Sequence, residues 1–536
     1  MFNKFKTYIQ SKKAEHLFLF SLKMASIFLL FMLVTYHLKL IIHPFPIEIR
    51  EGGDLLTIKA LSDKINPYAL SNQPVYDNPY GIVYPLLAQQ VAVFFGVTLF
   101  SARLLSALAI YFSLILIFIA LRKEKINFWH CLFGMTIFYT NILFWVTPIC
   151  RPDSLGMTFF LLSIVLPIWF RFNYPSLFVA LLFSLIAFYT KQYFIIGYLI
   201  LIIYMFIFIS IKKAGTLLAT FLILFLASAI FINKLFECYF YNTLLTHLMV
   251  SSNDLRFAMH QLRIFIKTNL GLTLILLSST FIIILTEVKF RTAGEYRYGV
   301  VKTIINYFQR IRHDLNWNRG LVNFTLSPYV FLFCSILLCL IFRLGGNTGA
   351  FMTYYYQLLS FPFIVVALMQ PISYSKPLFF LFIFITFISS GNQYLFHNNF
   401  SLRDRSEWQK ANALLATSNN IFSTSEIGPL LIQRGIVPYN SGFTEFFISS
   451  TLSPKIDKLF SFTDQIKNKD STYNFTIREN IKKRKFDLLM LNSYYSNAND
   501  SMLSLSYKIH DSITLNFYHT QQKVKLYVWE PIPINN

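Results

Sequence analysis

Long apolar stretches recur along the chain up to residue 395, and they constrain the fold more than any other feature. Each is roughly long enough to cross the ~30 Å hydrocarbon core of a bilayer as a helix. The pattern predicts an α-helical polytopic membrane protein with about eleven transmembrane helices. A further apolar stretch, 83–96, is predicted to be an interfacial helix. The predicted spans lie at 17–42, 97–121, 128–149, 155–171, 177–190, 193–211, 216–232, 270–288, 324–342, 356–370 and 377–395.

The positions of the basic residues predict how the chain sits in the membrane. With eleven spans, the clusters of Lys and Arg fall on one side, which the positive-inside rule assigns to the cytoplasm. The first apolar segment is too long for a signal peptide and stays as an anchor, with the N-terminus cytoplasmic. We expect a multi-pass protein of the inner (cytoplasmic) membrane. The basic positions are Arg122, Lys123, Lys125, Arg171, Lys212, Lys213, the stretch 289–319 and Lys376.

Composition supports this class, because 55% of the residues are hydrophobic and only 13% are charged. The net charge of +22 reflects the cytoplasmic loops, so no nucleic-acid partner is expected. From residue 396 the composition changes, and Ser, Asn, Thr and charged residues become frequent. We therefore predict a membrane domain over 1–395 and a small α/β domain over 396–536 on the extracytoplasmic (periplasmic) side.

Acidic residues gather in the first outer loop, directly after the first span. If a helix begins near Gly52 and Gly53, then Glu51 and Asp54 lie on one face just above the membrane, and together they could accept a proton and a hydrogen bond. At its reference pKa of ~3.9, Asp54 would be an ionised and weak base. A juxtamembrane helix that displays solvated charge is the alternative explanation.

Charged and polar residues also mark two other outer ends. In "CRPDSLG", Arg151 and Asp153 precede a span, and in "FYTKQYF" Lys191 and Gln192 interrupt an apolar run. Ionisable groups at such depth usually face a cavity or a partner. An Arg–Asp pair that fixes a turn and a snorkelling lysine are the respective alternatives.

A third outer loop, "LGGNTGAFMTYYYQLLSFP", combines glycines with Tyr355 and Tyr356. The glycines permit an irregular turn against a cavity, and the tyrosines could form its hydrogen-bonding walls. An ordinary aromatic belt at the interface is the alternative. Because the polarity lies at the outer ends of nearly uncharged spans, we place the function at the outer face.

The ordered set of motifs resembles the GT-C superfamily of polyprenol-phosphate-dependent glycosyltransferases. The likeness covers roughly 20–395 and is closest to the bacterial envelope branch, with protein O-mannosyltransferases and lipid A aminoarabinose transferases as relatives. The motifs that carry it are "REGGDLLTIKALSDKINPY", "NPYGIVYPLLAQQ", "FSARLLSALAIYFSLILIFIALRKE", "RPDSLG" and "TKQ".

The resemblance implies that a carboxylate of the first loop is the general base, which by position falls on Asp54, with Glu51 the nearest substitute. Arg151, Lys191 and, less directly, Lys59 would bind the donor phosphate, and Asp153 would orient Arg151 or the acceptor. Gln192, Tyr80, Tyr84, Tyr355 and Tyr356 are the candidates for substrate binding.

We therefore expect a glycosyltransferase (hexosyl or pentosyl) that moves a sugar from a polyprenyl-phosphate donor to a glycan, lipid or protein acceptor, with inversion. We expect that no cofactor is required, with a divalent metal between Glu51 and Asp54 as the alternative. The five cysteines include no CxxC pair, so they indicate no thiolate metal site. A secondary transporter or flippase is the main rival, and a lipid-anchored scaffold or receptor is the third hypothesis. Transporters place ionisable residues near the midplane, whereas this sequence places them at the span ends.

Overall fold

We analysed a computed structural model of the chain. The structure describes residues 12–76, 78–245, 254–270, 273–274, 327–346, 356–374, 384, 387–388, 391, 405–439, 463–517 and 522–533. Its membrane part contains the helices α1 Lys12–Ile41, α2 Glu51–Ser62, α3 Val83–Phe95, α4 Leu99–Lys123, α5 Phe128–Trp145, α6 Asp153–Trp169, α7 Tyr174–Thr190, α8 Ile195–Phe208, α9 Ile211–Leu235, α10 Leu255–Thr268, α11 Pro328–Phe342 and α12 Phe361–Tyr374.

Nine of the eleven predicted spans coincide with helices of the structure, and the interfacial helix predicted at 83–96 is α3. The other two, 270–288 and 377–395, lie largely outside the described residues. Among the described helices, four are both long and apolar enough to cross a membrane by themselves: Lys23–Ile41, Leu99–Lys123, Ile211–Leu235 and Pro328–Gly346. The polytopic helical class is thus confirmed.

Local capping residues explain where several of these helices begin. The Thr98 side chain accepts a hydrogen bond from the Ser101 backbone and Ser101 binds back, a capping box that starts α4. Asn173 and Ser210 accept from the backbone at the starts of α7 and α9. These caps satisfy backbone donors that would otherwise be left unpaired at the span ends.

The C-terminal domain is built on a four-stranded sheet. Its strands are β1 Ile421–Ser423, β2 Leu488–Asn492, β3 Tyr507–Phe517 and β4 Gln522–Pro531, in the order β1-β2-β4-β3, with β1 parallel to β2 and the other pairs antiparallel. Its helices are α13 Arg405–Ala416, α14 Gly428–Ile432, α15 Thr463–Lys482, α16 Ser493–Ala498 and α17 Asp500–Leu503. The predicted small α/β domain is confirmed, while the boundary predicted at 395/396 lies outside the described residues.

The C-terminal domain packs directly on the first outer loop. Phe45 stacks on Trp408 with ring centroids 5.6 Å apart, and Ile432 belongs to the same buried apolar cluster as Leu55 of α2. Two glycines also meet closely here, because a Cβ on Gly428 would lie 3.0 Å from the Cα of Gly52. Helix α2 is therefore held between the membrane domain and the C-terminal domain.

Candidate active site

Helix α2 presents two buried carboxylates one turn apart. Glu51 and Asp54 both lie in its first turn, where the unpaired N–H groups and the helix dipole favour negative charge. The predicted start of the helix at the Gly52-Gly53 pair is confirmed. The two carboxylates, however, face different partners, so they do not form the joint acceptor expected from their i, i+3 spacing.

Glu51 is fully engaged in a buried ion pair. Arg103, in α4, donates from Nε to Glu51 Oε1 at 2.8 Å and from Nη2 to Oε2 at 2.7 Å. The backbone amides of Ile47, Glu48 and Cys150 also donate to this carboxylate. Arg103 in turn donates to the carbonyls of Leu40, His43 and Phe45. The pair therefore fixes α2 against α4 and the ends of two loops.

Arg151 lies at the centre of a second, separate cluster. Its Nε is 4.0 Å from Asp54 Oδ2 and 3.5 Å from Asp153 Oδ2, and its Nη1 is 3.5 Å from Glu48 Oε1. Its guanidinium also donates a hydrogen bond to the Tyr80 hydroxyl. Arg151 belongs to the turn between α5 and α6, which places its buried side chain under the first outer loop.

Lys191 reaches the same cluster from a break between helices. It follows α7 in an extended conformation, and its amino group donates to Asp153 Oδ1 at 2.7 Å. Asp153 Oδ1 also accepts from the Tyr193 hydroxyl at 2.9 Å. The ammonium lies 4.7 Å from the centroid of the Tyr80 ring. Burial lowers the pKa of Lys191 to about 8, despite the opposing effect of Asp153.

The Oδ2 atom of Asp54 is buried without a hydrogen-bond donor. Oδ2 of Asp153 is too, but Asp153 accepts from Lys191 and Tyr193 through its other oxygen. The described cation nearest to Asp54 is Arg151, at 4.0 Å. Burial raises the pKa of Asp54 to about 8, although Arg151 and Lys191 partly offset the effect. The expected ordinary pKa of Asp54 is therefore wrong, since the side chain is not solvated.

Sequence analysis assigned no role to Glu48 and Arg50, which complete the cluster. Arg50 Nη2 pairs with Glu48 Oε1 at 2.6 Å, and its backbone amide donates to Glu48 Oε2 at 2.7 Å. Burial alone would raise the pKa of Glu48, but Arg50 and Arg151 bring it below its ordinary value. The signal was present in the sequence, because Glu48 and Arg50 flank the same acidic loop.

The cluster therefore contains three cations (Arg50, Arg151 and Lys191) against Glu48 and Asp153, whose pKa values are lowered, and Asp54, whose pKa is raised to about 8. A buried cluster of this kind can attract an anion through its cations and abstract a proton beside it through a carboxylate. No group of three or more His, Cys, Asp or Glu placed to hold a metal occurs among the described residues.

No family model and no curated protein matches the sequence. The fold, however, is similar to that of ArnT from Cupriavidus metallidurans. A crystal structure bound to undecaprenyl phosphate gives a TM-score of 0.52 at 8% identity, and an apo crystal structure gives 0.50 at 7%. Both comparisons cover 93% of this chain and 97% of ArnT. The chain therefore has the fold of ArnT. The fold expected from the resemblance is thereby confirmed.

Of the predicted substrate-binding residues, the fold brings Tyr80 and Gln192 to the cluster. Tyr80 lies between Arg151 and Lys191, as described above. Gln192 follows Lys191 in the chain and donates to the carbonyls of Pro79 and Thr243 at 3.4 and 3.0 Å. Gln192 thus joins loops around the site, whereas the ring of Tyr80 contacts the charged groups themselves.

Other predicted residues have partners elsewhere. The Tyr84 hydroxyl bonds the carbonyl of Ala102 at 3.1 Å and Ser106 at 3.2 Å, which packs α3 on α4. Lys59 pairs with Asp63 at 2.6 Å at the exposed end of α2. The Tyr356 hydroxyl donates to the carbonyl of Ala258. Tyr355 lies outside the described residues.

Proposed function

We propose that the protein is an integral membrane glycosyltransferase that moves a sugar from a polyprenyl-phosphate donor to an acceptor hydroxyl at the extracytoplasmic face. The observation that carries the proposal is the buried carboxylate of Asp54, whose Oδ2 accepts no hydrogen bond, beside the cations Arg151 and Lys191. The fold is that of ArnT, of which one crystal structure is bound to undecaprenyl phosphate. The C-terminal domain and the cluster lie together on α2, so both face outward in the proposed orientation.

The cations stabilise the leaving group in this proposal. Arg151 offers a planar fork for two phosphate oxygens, and Lys191 adds a compact charge. As the bond between the anomeric carbon and the phosphate oxygen breaks, negative charge grows on the polyprenyl phosphate, where these groups stabilise it. Asp153 positions both cations, because its two oxygens lie against Lys191 and Arg151.

Asp54 is the general base of the proposed reaction. It accepts the proton of the acceptor hydroxyl while the acceptor oxygen forms a bond to the anomeric carbon, and the polyprenyl phosphate departs from the other side. Direct displacement of this kind inverts the anomeric centre. A base with a pKa of about 8 is well matched to proton abstraction near neutral pH.

Glu51 has a different role in this proposal. Both of its oxygens already accept from Arg103, which leaves little capacity to receive a proton from an acceptor. We assign to Glu51 the positioning of α2, and with it of Asp54. For the same reason Glu51 and Asp54 are a poor pair of metal ligands, and we propose that transfer needs no divalent ion. Transfer in the presence of EDTA, with added Mg²⁺ or Mn²⁺ as the comparison, tests this.

The acceptor in this proposal is a hydroxyl of an envelope polysaccharide, a lipid or a protein, and the transferred group is a hexose or pentose. Membranes that contain the chain would be given a labelled polyprenyl-phosphate sugar and an envelope fraction. We expect wild-type transfer, a loss of about 10²–10⁴-fold in Asp54→Asn, as for a general base, and a comparable loss in Arg151→Ala. Asp63→Asn, an exposed acid at the end of the same helix, is the matched control.

Two outcomes would contradict the assignment. Full transfer by Asp54→Asn and Arg151→Ala would remove the proposed base and phosphate site. Movement of the labelled lipid across vesicles without glycosidic transfer would favour a flippase or transporter instead. Deletion of 396–536 separates the scaffold hypothesis, because a scaffold should then lose all function, whereas a transferase should keep some turnover.

A further inference from the structure

Helix α10, which the proposed reaction does not use, attaches to the membrane domain by one stripe of residues. Ala258, Gln261 and Phe265 are buried. Gln261 Nε2 donates to the carbonyl of Gly345 at 3.0 Å. At the start of the helix, the Asp254 backbone amide donates to the carbonyl of Gly346 at 3.0 Å. The helix is thereby fixed beside the end of α11, and its rotation about its own axis is set.

A second stripe of α10 is apolar and exposed. Leu255, Met259 and Ile266 have exposed fractions of 55, 48 and 37%, and Leu262 between them is only partly buried. Their spacing of i, i+4, i+7 and i+11 places them on one line along the helix. In water such a line of large apolar side chains would be costly, so it requires an apolar surrounding.

A third stripe, next to the apolar one, is basic. Each of its members follows an apolar-stripe residue by one position, so it lies about 100° further around the helix. Its members are Arg256, His260, Arg263 and Lys267, all exposed. Within the described part of the chain, no carboxylate forms an ion pair with them, and Asp254 instead caps the helix by accepting from the Arg256 backbone.

The chain around α10 places it at the level of the bilayer surface. Helix α9 is an exposed apolar span that ends beside the first outer loop, where the carbonyl of Leu235 accepts from Asn66 at 3.0 Å. After α10, Leu270 and Leu274 are exposed and begin the predicted span 270–288. Helix α10 therefore lies between two spans, on the same side of the membrane as the cluster around Arg151.

We propose that α10 lies in the outer membrane surface and binds the headgroups of anionic phospholipids of the surrounding bilayer. The apolar stripe enters the boundary between headgroups and acyl chains, as in other amphipathic helices with a basic flank. The basic stripe then lies at headgroup level, where Arg256, Arg263 and Lys267, which pair with no described carboxylate, attract lipid phosphates. The occupant is bilayer lipid, because the apolar stripe requires acyl chains beside the phosphate.

The test uses the full chain in nanodiscs of phosphatidylcholine that contain a photoactivatable lipid with its reactive group on the acyl chain. Labelling of the peptide 255–268 is measured by mass spectrometry. We expect photoactivatable phosphatidylglycerol to label it strongly, and photoactivatable phosphatidylcholine weakly. The triple variant Arg256→Gln/Arg263→Gln/Lys267→Gln should reduce the preference for phosphatidylglycerol by about 10²-fold, roughly fivefold for each cation.

Matched variants and a competitor make the result decisive. Lys483→Gln/Lys485→Gln/Lys508→Gln removes the same charge from exposed positions of the C-terminal domain and should leave labelling unchanged. Arg256→Lys/Arg263→Lys should retain the preference, because charge is kept. Equal labelling by the two lipids, an equal loss in the control triple variant, or displacement by inorganic phosphate alone would overturn the proposal. None of these readouts depends on glycosyl transfer.

Discussion

Helix α2 carries two buried acids one turn apart, and their surroundings are opposite. Glu51 has an exposed fraction of 0% and accepts from five donors, two of them on Arg103. Asp54 has an exposed fraction of 5%, and its buried Oδ2 has no donor. Burying a charge is costly unless partners compensate it. The comparison teaches that the compensated acid builds the structure and the uncompensated acid is available for chemistry.

This difference predicts opposite effects for two similar substitutions, and it is the largest effect we expect. Glu51→Gln leaves the guanidinium of Arg103 buried without a counter-charge, so the free energy of unfolding should fall by about 3–5 kcal/mol. Asp54→Asn should leave stability unchanged, while transfer falls as described above. Thermal unfolding of the purified protein, measured beside transfer, checks both.

A double variant sharpens the same comparison. Replacing both partners, as in Glu51→Leu/Arg103→Leu, should destabilise less than Glu51→Gln alone, because no uncompensated charge remains. If Asp54→Asn destabilised the protein as much as Glu51→Gln, the two acids would share one structural role, and the contrast between them would be lost.

The next effect concerns the distance between α2 and the cations. Gly52 and Asp54 are two residues apart, so at about 100° per residue they lie on nearly opposite sides of the helix. A Cβ on Gly52 would collide with the Ser425 carbonyl oxygen, which would displace α2 toward the Arg151 side. We expect Gly52→Ala to reduce kcat up to about 10²-fold, since misplacement by about 1 Å can cost this much.

The control for this prediction is Gly215→Ala in α9, where a Cβ meets no atom within 4 Å. Kinetics of transfer should show a change in kcat with a smaller change in the KM of the donor, because the Arg151–Lys191–Asp153 contacts do not include α2. Equal kinetics for Gly52→Ala and Gly215→Ala would show that the contact with the C-terminal domain does not set the position of Asp54.

The smallest predicted effect is on pH dependence. Asp54 is a base only when deprotonated, so kcat/KM should rise with pH up to about 8. Lys191 loses its charge above about 8, so kcat/KM should fall again and give a bell-shaped profile. In Lys191→Arg the charge persists, because a guanidinium stays protonated far above pH 8, so the alkaline decline should move to higher pH. An unchanged alkaline limb would exclude Lys191 as its origin.

The sequence predicted the parts of this structure that depend on local pattern. Apolar length located the spans, and the Gly52-Gly53 pair located the start of α2. Arg151 and Lys191 were found because a charge at the end of an apolar span needs a partner. These predictions concern one residue or one segment at a time, and for that reason they could be made without coordinates.

The remainder depended on contacts between distant segments. Glu51 and Arg103 are separated by 52 residues, and nothing in either segment identifies the other as its partner. The raised pKa of Asp54 is a property of burial from several sides, which no local pattern states. Lys59 is the opposite case, because its partner is local. Asp63 lies at i+4 and could have been recognised in the sequence, but the resemblance assigned Lys59 to the donor phosphate instead.

The glycine contact between α2 and the C-terminal domain also has a consequence for biogenesis. Gly428 is synthesised long after Gly52, when the ribosome has already passed every predicted span. During that interval the helix that bears Asp54 rests on the membrane domain alone, and its outer side faces water. The packing around α2 is therefore completed only after the last segment has been translocated, late in the synthesis of the chain.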